Sequence, residues 1–146
     1  MVFKSPGSDP AVPDNWREST AAGGNPGSSD ALTFSGNPAA DVDKDGLTVL
    51  MEYLLGTPDT VPNGPAVTLT TVPGGAQISC RMSLAADRVR VTPQRSADLA
   101  NWNAGVEYFT PVASVSNGDG SVTKTWFSPR GAGARSYFRM VGTLVP

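Results

Sequence analysis

One segment of the chain carries acidic residues at a spacing that suits a metal ion. Residues 41–52 read Asp-Val-Asp-Lys-Asp-Gly-Leu-Thr-Val-Leu-Met-Glu, which fits the calcium-loop template D-x-D-x-D-G-x5-E. Calcium takes about six to eight hard oxygen ligands, and alternate aspartates direct their carboxylates to one centre as the chain wraps the ion. The spacing predicts a Ca2+ site in which Glu52 closes the cage with both carboxylate oxygens. The predicted ligands are Asp41, Asp43, Asp45, the Leu47 carbonyl and Glu52.

Other residues of the segment bear on how well it binds the ion. Gly46 at position six permits the sharp turn, whereas Val49 at position nine has no side-chain oxygen and predicts a weaker or rearranged site. The segment holds four acids and one base, so a divalent cation would relieve its self-repulsion. Magnesium fits less well because it retains its waters. The alternative interpretation is an exposed acidic turn that caps the N-terminus of the next helix.

The patterns on either side of this segment predict the elements that position it. Apolar residues at helical spacing, followed by Gly56, predict one short amphipathic helix over residues 46–55. From residue 65 the apolar period changes to two, which predicts short strands joined by turns such as Asn117–Gly120. The predicted strands lie near 67–72, 76–84, 88–92, 106–116, 121–127 and 137–145.

The sequence therefore predicts a mainly β fold. We expect a small β-sandwich of about six to seven short strands, preceded by a calcium loop and one short helix. Three regions follow: an extended arm rich in Gly and Pro at 1–35, the calcium-binding loop and helix at 36–64, and the β-sandwich domain at 65–146. Because an isolated helix this short is marginal in water, we expect it to dock on the β-half.

The arm has little apolar periodicity and needs anchors to be ordered. One helical turn capped by Asp14 is predicted at residues 14–18, with Trp16, Leu32 and Phe34 as the anchors. Residues 1–64 hold nine acids and three bases, and residues 65–146 hold four acids and eight bases. This charge split favours contact between the two halves.

The composition excludes several kinds of chemistry. The 146 residues include no histidine, which removes Ser-His-Asp and Cys-His catalysis and histidine-ligated zinc. The single cysteine, Cys80, forbids an internal disulfide and is expected on a buried strand face with Ile78 and Met82. No apolar run approaches a membrane span, and the N-terminus does not have the pattern of a signal peptide. A pI near 4.9 disfavours nucleic acid as a partner, although arginines cluster at 81, 88, 90 and 95.

A resemblance joins the two halves of the chain. Residues 43–56 read DKDGLTVLMEYLLG and resemble the DxDGLxNLxEYxLG segment that precedes a C-terminal β-domain in large secreted bacterial proteins. The loop is similar to dockerin-type and thrombospondin type 3-like calcium motifs of the EF-hand type. That β-domain commonly carries an S-x-D-L-x-x-W element and an FxR-type last strand, and residues 96–102 and 137–140 are similar to them. The resemblance covers roughly residues 36–146 and implies an extracellular or cell-surface module without assigned catalysis.

These observations lead to one main functional prediction and two alternatives. The main prediction is a non-catalytic, calcium-stabilised extracellular module, the accessory, adhesion or assembly part of a secreted or cell-surface bacterial protein. One alternative is carbohydrate binding, and the other is a self-assembling surface or filament subunit whose edge strands pair between chains. An enzyme is disfavoured because a glycosidase needs two facing carboxylates, and the β-half holds only four acids. The aromatic residues that could stack on a sugar are Trp102, Tyr108, Trp126 and Tyr137.

Overall fold

Strands and tight turns make up most of the structure, a computed structural model that describes residues 1–4, 7–26, 28, 30–131 and 135–145. Its one α-helix is α1, Val49–Leu55. The strands are β1 Val2–Phe3, β2 Trp16–Arg17, β3 Val67–Val72, β4 Gly75–Ser83, β5 Val89–Ser96, β6 Thr110–Ser116, β7 Ser121–Pro129 and β8 Tyr137–Leu144. The fold is mainly β and agrees with the predicted small β-sandwich. No helix in these described ranges is long and apolar enough to cross a membrane.

The strands of the β-half form two sheets, in which every pair is antiparallel. The first sheet has four strands in the order β3-β4-β7-β6, and the second consists of β5 and β8. Alternation along β4 buries Ile78, Cys80 and Met82, as the period of two predicts. These side chains share one core cluster with Val89 of β5 and Met140 of β8, so residues of both sheets meet in the core.

Helix α1 is shorter than the predicted span because the chain before it is held in turns. Its N-cap is Thr48, whose side chain accepts a hydrogen bond from the Met51 amide at 3.3 Å, and it ends at Gly56 with φ of 75°. Leu54 is 0% exposed and joins the core cluster of the two sheets. Beneath the helix, a Cβ at Gly142 of β8 would lie 3.2 Å from the Met51 sulfur. The helix therefore docks on the β-half, as expected, at a point where glycine allows close approach.

The arm differs from its prediction. Residues 13–15 form a 3-10 turn whose N-cap is Val12 without a side-chain bond, and Trp16 and Arg17 pair with β1 as a strand. The helical turn capped by Asp14 was therefore wrong, since the Trp16 backbone is extended. The Leu32 side chain is 55% exposed, and the residue is held through its backbone: its N–H donates to the Ala85 carbonyl at 3.0 Å and its carbonyl accepts the Tyr53 hydroxyl. Phe34 packs edge-on against Tyr53 with ring centroids 5.3 Å apart.

A buried ion-pair network holds the arm instead. The Arg17 guanidinium lies 2.9 Å from an Asp30 carboxylate oxygen and 2.7 Å from one of Asp87. All three side chains are at most 7% exposed. In the described part of the chain, the ion pair between the two halves thus joins a base of the arm to an acid of the β-half. The overall charges suggest the opposite pairing, because residues 1–64 are net acidic and residues 65–146 are net basic.

Candidate metal centre

The acidic loop is shaped by its own side chains. Asp41 accepts hydrogen bonds from the backbone N–H groups of Lys44 at 2.7 Å and Gly46 at 3.1 Å. Asp45 accepts one from the Leu47 N–H at 2.7 Å. Lys44 and Gly46 have positive φ values of 65° and 93°, which turn the chain sharply around the carboxylates. These turns are local, so the sequence between Asp41 and Leu47 is sufficient to produce them.

Three of the predicted ligands come together. Asp41, Asp43 and Asp45 each place one carboxylate oxygen within 4.8 Å of the others. Asp41 is exposed, while Asp43 and Asp45 are partly buried. Three carboxylates this close repel one another unless a cation lies among them. The group is therefore able to hold a metal ion.

Glu52 lies outside that group but is oriented by the helix toward the same region. Glu52 is 1% exposed, and its Oε1 accepts a hydrogen bond from the Asn63 Nδ2 at 3.0 Å. Burial raises the pKa of the Glu52 carboxyl, and the negative charges of Asp43 and Asp45 raise it further. Both findings describe a carboxylate held in an environment that disfavours its charge.

Two oxygens of this region are buried without a hydrogen-bond partner among the described residues. They are Asp43 Oδ2 and Glu52 Oε2. A buried carboxylate oxygen that lacks a partner costs free energy, on the order of 1–3 kcal/mol or more for a charged group. A cation bound between Asp43 and Glu52 would remove that cost, so this observation fits a metal ion better than an exposed acidic turn.

The remaining positions of the loop have different roles. Leu47, the predicted carbonyl ligand, is partly buried next to the N-cap of α1. The side chain of Val49, at position nine, is 8% exposed, and its N–H donates to the Ala40 carbonyl at 2.8 Å. This bond joins the two ends of the loop. Val49 therefore closes the loop and fills apolar space, and it offers no side-chain oxygen to an ion.

Asn63 is the residue of this region that the sequence did not reveal. Its backbone N–H donates to Asp45 Oδ2 at 2.7 Å, and its side chain contacts Glu52. It lies eleven residues beyond Glu52, outside the loop template. In the sequence, Asn63-Gly64 has only the composition of a turn, so no signal there pointed to the loop.

The aromatic residues proposed for glycan stacking are not arranged as an open platform. All four are partly buried. The Arg139 guanidinium lies over the Trp102 ring at 4.0 Å from its centroid, and Arg95 lies over Tyr108 at 5.2 Å. Trp126 packs against the core cluster. The Arg139 guanidinium therefore covers one face of the Trp102 ring, and a sugar could not stack on that face.

The two edge strands of the larger sheet, β3 and β6, are largely exposed to solvent in the described part of the chain. β6 is exposed over all seven of its residues, and β3 is exposed over its four central ones. Val112 and Val115 of β6 are 51% and 57% exposed. Assembly through such an edge stays a prediction.

The chain was compared with known proteins in three ways. It matches no protein-family model, no curated protein and no solved structure.

Proposed function

We propose that this chain is a non-catalytic, calcium-stabilised extracellular module. The observation that carries the proposal is Glu52, a carboxylate that is 1% exposed, has an unpartnered oxygen and lies beside an aspartate group. The residues that would hold Ca2+ are Asp41, Asp43, Asp45, the Leu47 carbonyl and Glu52. The ion would compensate buried negative charge, and the calcium-loop spacing favours Ca2+ over Mg2+ because the site offers many carboxylate oxygens.

The position of Glu52 on α1 gives the ion a structural role. Leu50 and Leu54, two residues away on either side, belong to the core cluster shared by both sheets. An ion that fixes Glu52 therefore also fixes the helix whose other face completes the core. Calcium bound in this way stabilises the packing of α1 on both sheets.

The affinity expected of such a site supports the proposed extracellular location. Extracellular calcium modules bind with dissociation constants of about 0.1–1 mM. At ~1 mM free calcium and a dissociation constant of ~0.1 mM, binding stabilises the folded state by roughly 1.4 kcal/mol. A weak site of this kind is occupied outside the cell, and the resemblance of residues 43–56 to secreted bacterial modules supports the same location.

Calorimetric titration of Glu52→Gln tests the proposal. The wild type should bind one Ca2+, and the variant should lose most of the affinity because an amide cannot supply two anionic oxygens. Glu107→Gln is the matched control, since Glu107 is exposed and lies in the β-half. Without calcium, Glu52→Gln should melt no lower than the wild type, because it removes a buried charge. Unchanged calcium binding by Glu52→Gln would refute the site.

A further inference from the structure

The segment that follows α1 folds back onto the acidic loop. The helix ends where Gly56 donates its N–H to the Glu52 carbonyl at 2.8 Å, and the Thr57 N–H donates to the same carbonyl at 3.0 Å. The chain then returns so that Asn63 reaches two of the predicted ligands. Strand β3 begins four residues later, at Val67. The segment thus connects the candidate metal centre to the edge of the larger sheet.

Asn63 contacts the predicted ligands through both of its nitrogen atoms. Its backbone N–H donates to Asp45 Oδ2 at 2.7 Å, and its Nδ2 donates to Glu52 Oε1 at 3.0 Å. Asp45 and Glu52 occupy positions five and twelve of the loop, so one residue joins two distant parts of the ligand set. The bond to Glu52 leaves its Oε2 without a hydrogen-bond partner among the described residues. The other oxygen of Asp45, Oδ1, accepts the Leu47 N–H.

The orientation of the Asn63 amide is fixed by the Val61 carbonyl and the Glu52 carboxylate. Nδ2 donates to the Val61 oxygen at 2.7 Å and lies 3.4 Å from the Pro58 oxygen. An amide nitrogen carries two hydrogens, and here Val61 and Glu52 take them at short distance. The side chain therefore turns its donor, rather than its oxygen, toward Glu52. This geometry suits a residue that holds a ligand and does not itself bind the ion.

We propose that Asn63 is a positioning residue of the calcium site. It holds the Asp45 and Glu52 carboxylates in place before the ion arrives, and it ties the occupied site to the chain entering β3. The inference rests on the proposed calcium function and extends it to a residue outside the loop template. Hydrogen-bond partners of metal ligands typically change metal affinity by about 10–100-fold when they are removed.

The test compares Asn63→Ala with Asn37→Ala by calcium titration. Asn37 is exposed and precedes the loop, and its side chain accepts a hydrogen bond from the Ala39 N–H. We expect Asn63→Ala to weaken calcium binding by about tenfold or more and Asn37→Ala to leave it unchanged. Luminescence lifetimes of bound Tb3+ in H2O and D2O count the waters on the ion. That count should be the same in the wild type and in Asn63→Ala.

Each result separates the possible roles of Asn63. Asn63→Ala removes the side-chain bond to Glu52 and keeps the backbone bond to Asp45. Calcium affinity within twofold of the wild type in this variant would overturn the proposal that the Asn63 side chain positions Glu52. One additional water on Tb3+ that Asn63→Ala also adds in the Glu52→Gln background would overturn it as well. A residue that acts through Glu52 adds no water there, whereas a direct ligand does. A wild type that binds no calcium would instead overturn the proposed function itself.

A measurement on the wild type keeps the test valid if Asn63→Ala does not fold. In 15N NMR spectra recorded during calcium titration, the Asn63 side-chain amide should shift with the same midpoint as the Gly46 backbone amide. Gly46 lies within the loop and donates to Asp41 Oδ2. A shift at Gly46 with none at Asn63 would overturn the inference.

Discussion

Asp30 should be one of the most sensitive positions in the arm, because it completes the buried network around Arg17. Its side chain is 1% exposed. Asp30 accepts hydrogen bonds from the Thr20 hydroxyl at 2.6 Å, the Thr20 N–H at 2.9 Å and the Arg17 guanidinium at 2.9 Å. Asp30→Ala removes all three bonds and leaves the Thr20 N–H without its acceptor. We therefore expect a large loss of stability from one substitution in a region that has little apolar core.

The expected size of the loss follows from what remains. Breaking a buried ion pair by removing one partner costs about 3–5 kcal/mol when the other charge is left alone. Here Asp87 still accepts two hydrogen bonds from Arg17, at 2.7 and 2.9 Å, so the Arg17 charge keeps a partner. We therefore expect Asp30→Ala to lower the free energy of unfolding by about 2–3 kcal/mol. With an unfolding entropy of ~0.3 kcal/mol/K for a chain of this length, the melting temperature should fall by about 7–10 °C.

Urea denaturation followed by tryptophan fluorescence measures this loss, and Asp14→Ala is the matched control. Asp14 is an exposed acid on the same arm, and its substitution should change the free energy of unfolding by less than ~0.5 kcal/mol. If Asp30→Ala is as stable as Asp14→Ala, the bonds of Asp30 to Arg17 and Thr20 do not stabilise the arm.

The same residue gives the protein a defined response to acid. Hydrogen bonds from Thr20, and then from Arg17, hold the pKa of the Asp30 carboxyl well below its ordinary value, against the opposing effect of burial. A depressed folded-state pKa contributes stability that is complete above the unfolded pKa of about 3.9 and is lost as the pH falls below it. The stability difference between the wild type and Asp30→Ala should therefore be constant from pH 7 to 5 and should shrink toward pH 3. A stability difference that stays constant down to pH 3 would contradict the depressed pKa of Asp30.

Two further predictions concern the core. Calcium at ~1 mM should raise the melting temperature by about 5 °C, and a chelator should reverse the rise. Trp102 and Trp126 should report one cooperative transition, because Leu54 of the helix shares the core of both sheets. Calcium binding that leaves this melting unchanged would show that the loop and helix are an independent unit. Cys80 should react slowly with a thiol reagent in the folded protein, since it is 1% exposed and burial raises the pKa of its thiol to about 11. Rapid stoichiometric labelling under native conditions would mean that this face of β4 is open.

Much of the fold could be predicted because the signals are local. The alternation of apolar residues located β3, β4 and β7 to within two residues, and Gly56 marked the end of α1. The first part of the fourth predicted strand was wrong. It was expected to begin at Val106, but β6 begins at Thr110 and Val106 is 87% exposed. Tyr108 and Phe109 gave that stretch its apolar pattern, yet they occupy a turn that packs on the core.

The sequence by itself determined the aspartate group, because the turns that gather Asp41, Asp43 and Asp45 are made within one short segment. Only the tertiary structure decided which distant residues support that segment and the arm. Arg17 and Asp87 are 70 residues apart, and the approach of α1 to Gly142 depends on where β8 lies. Asn63 reaches Glu52 only because the chain reverses after Gly56. Periodicity reports which face of an element is apolar, but the partner of a polar group depends on how the elements pack, and that information is spread over the whole chain.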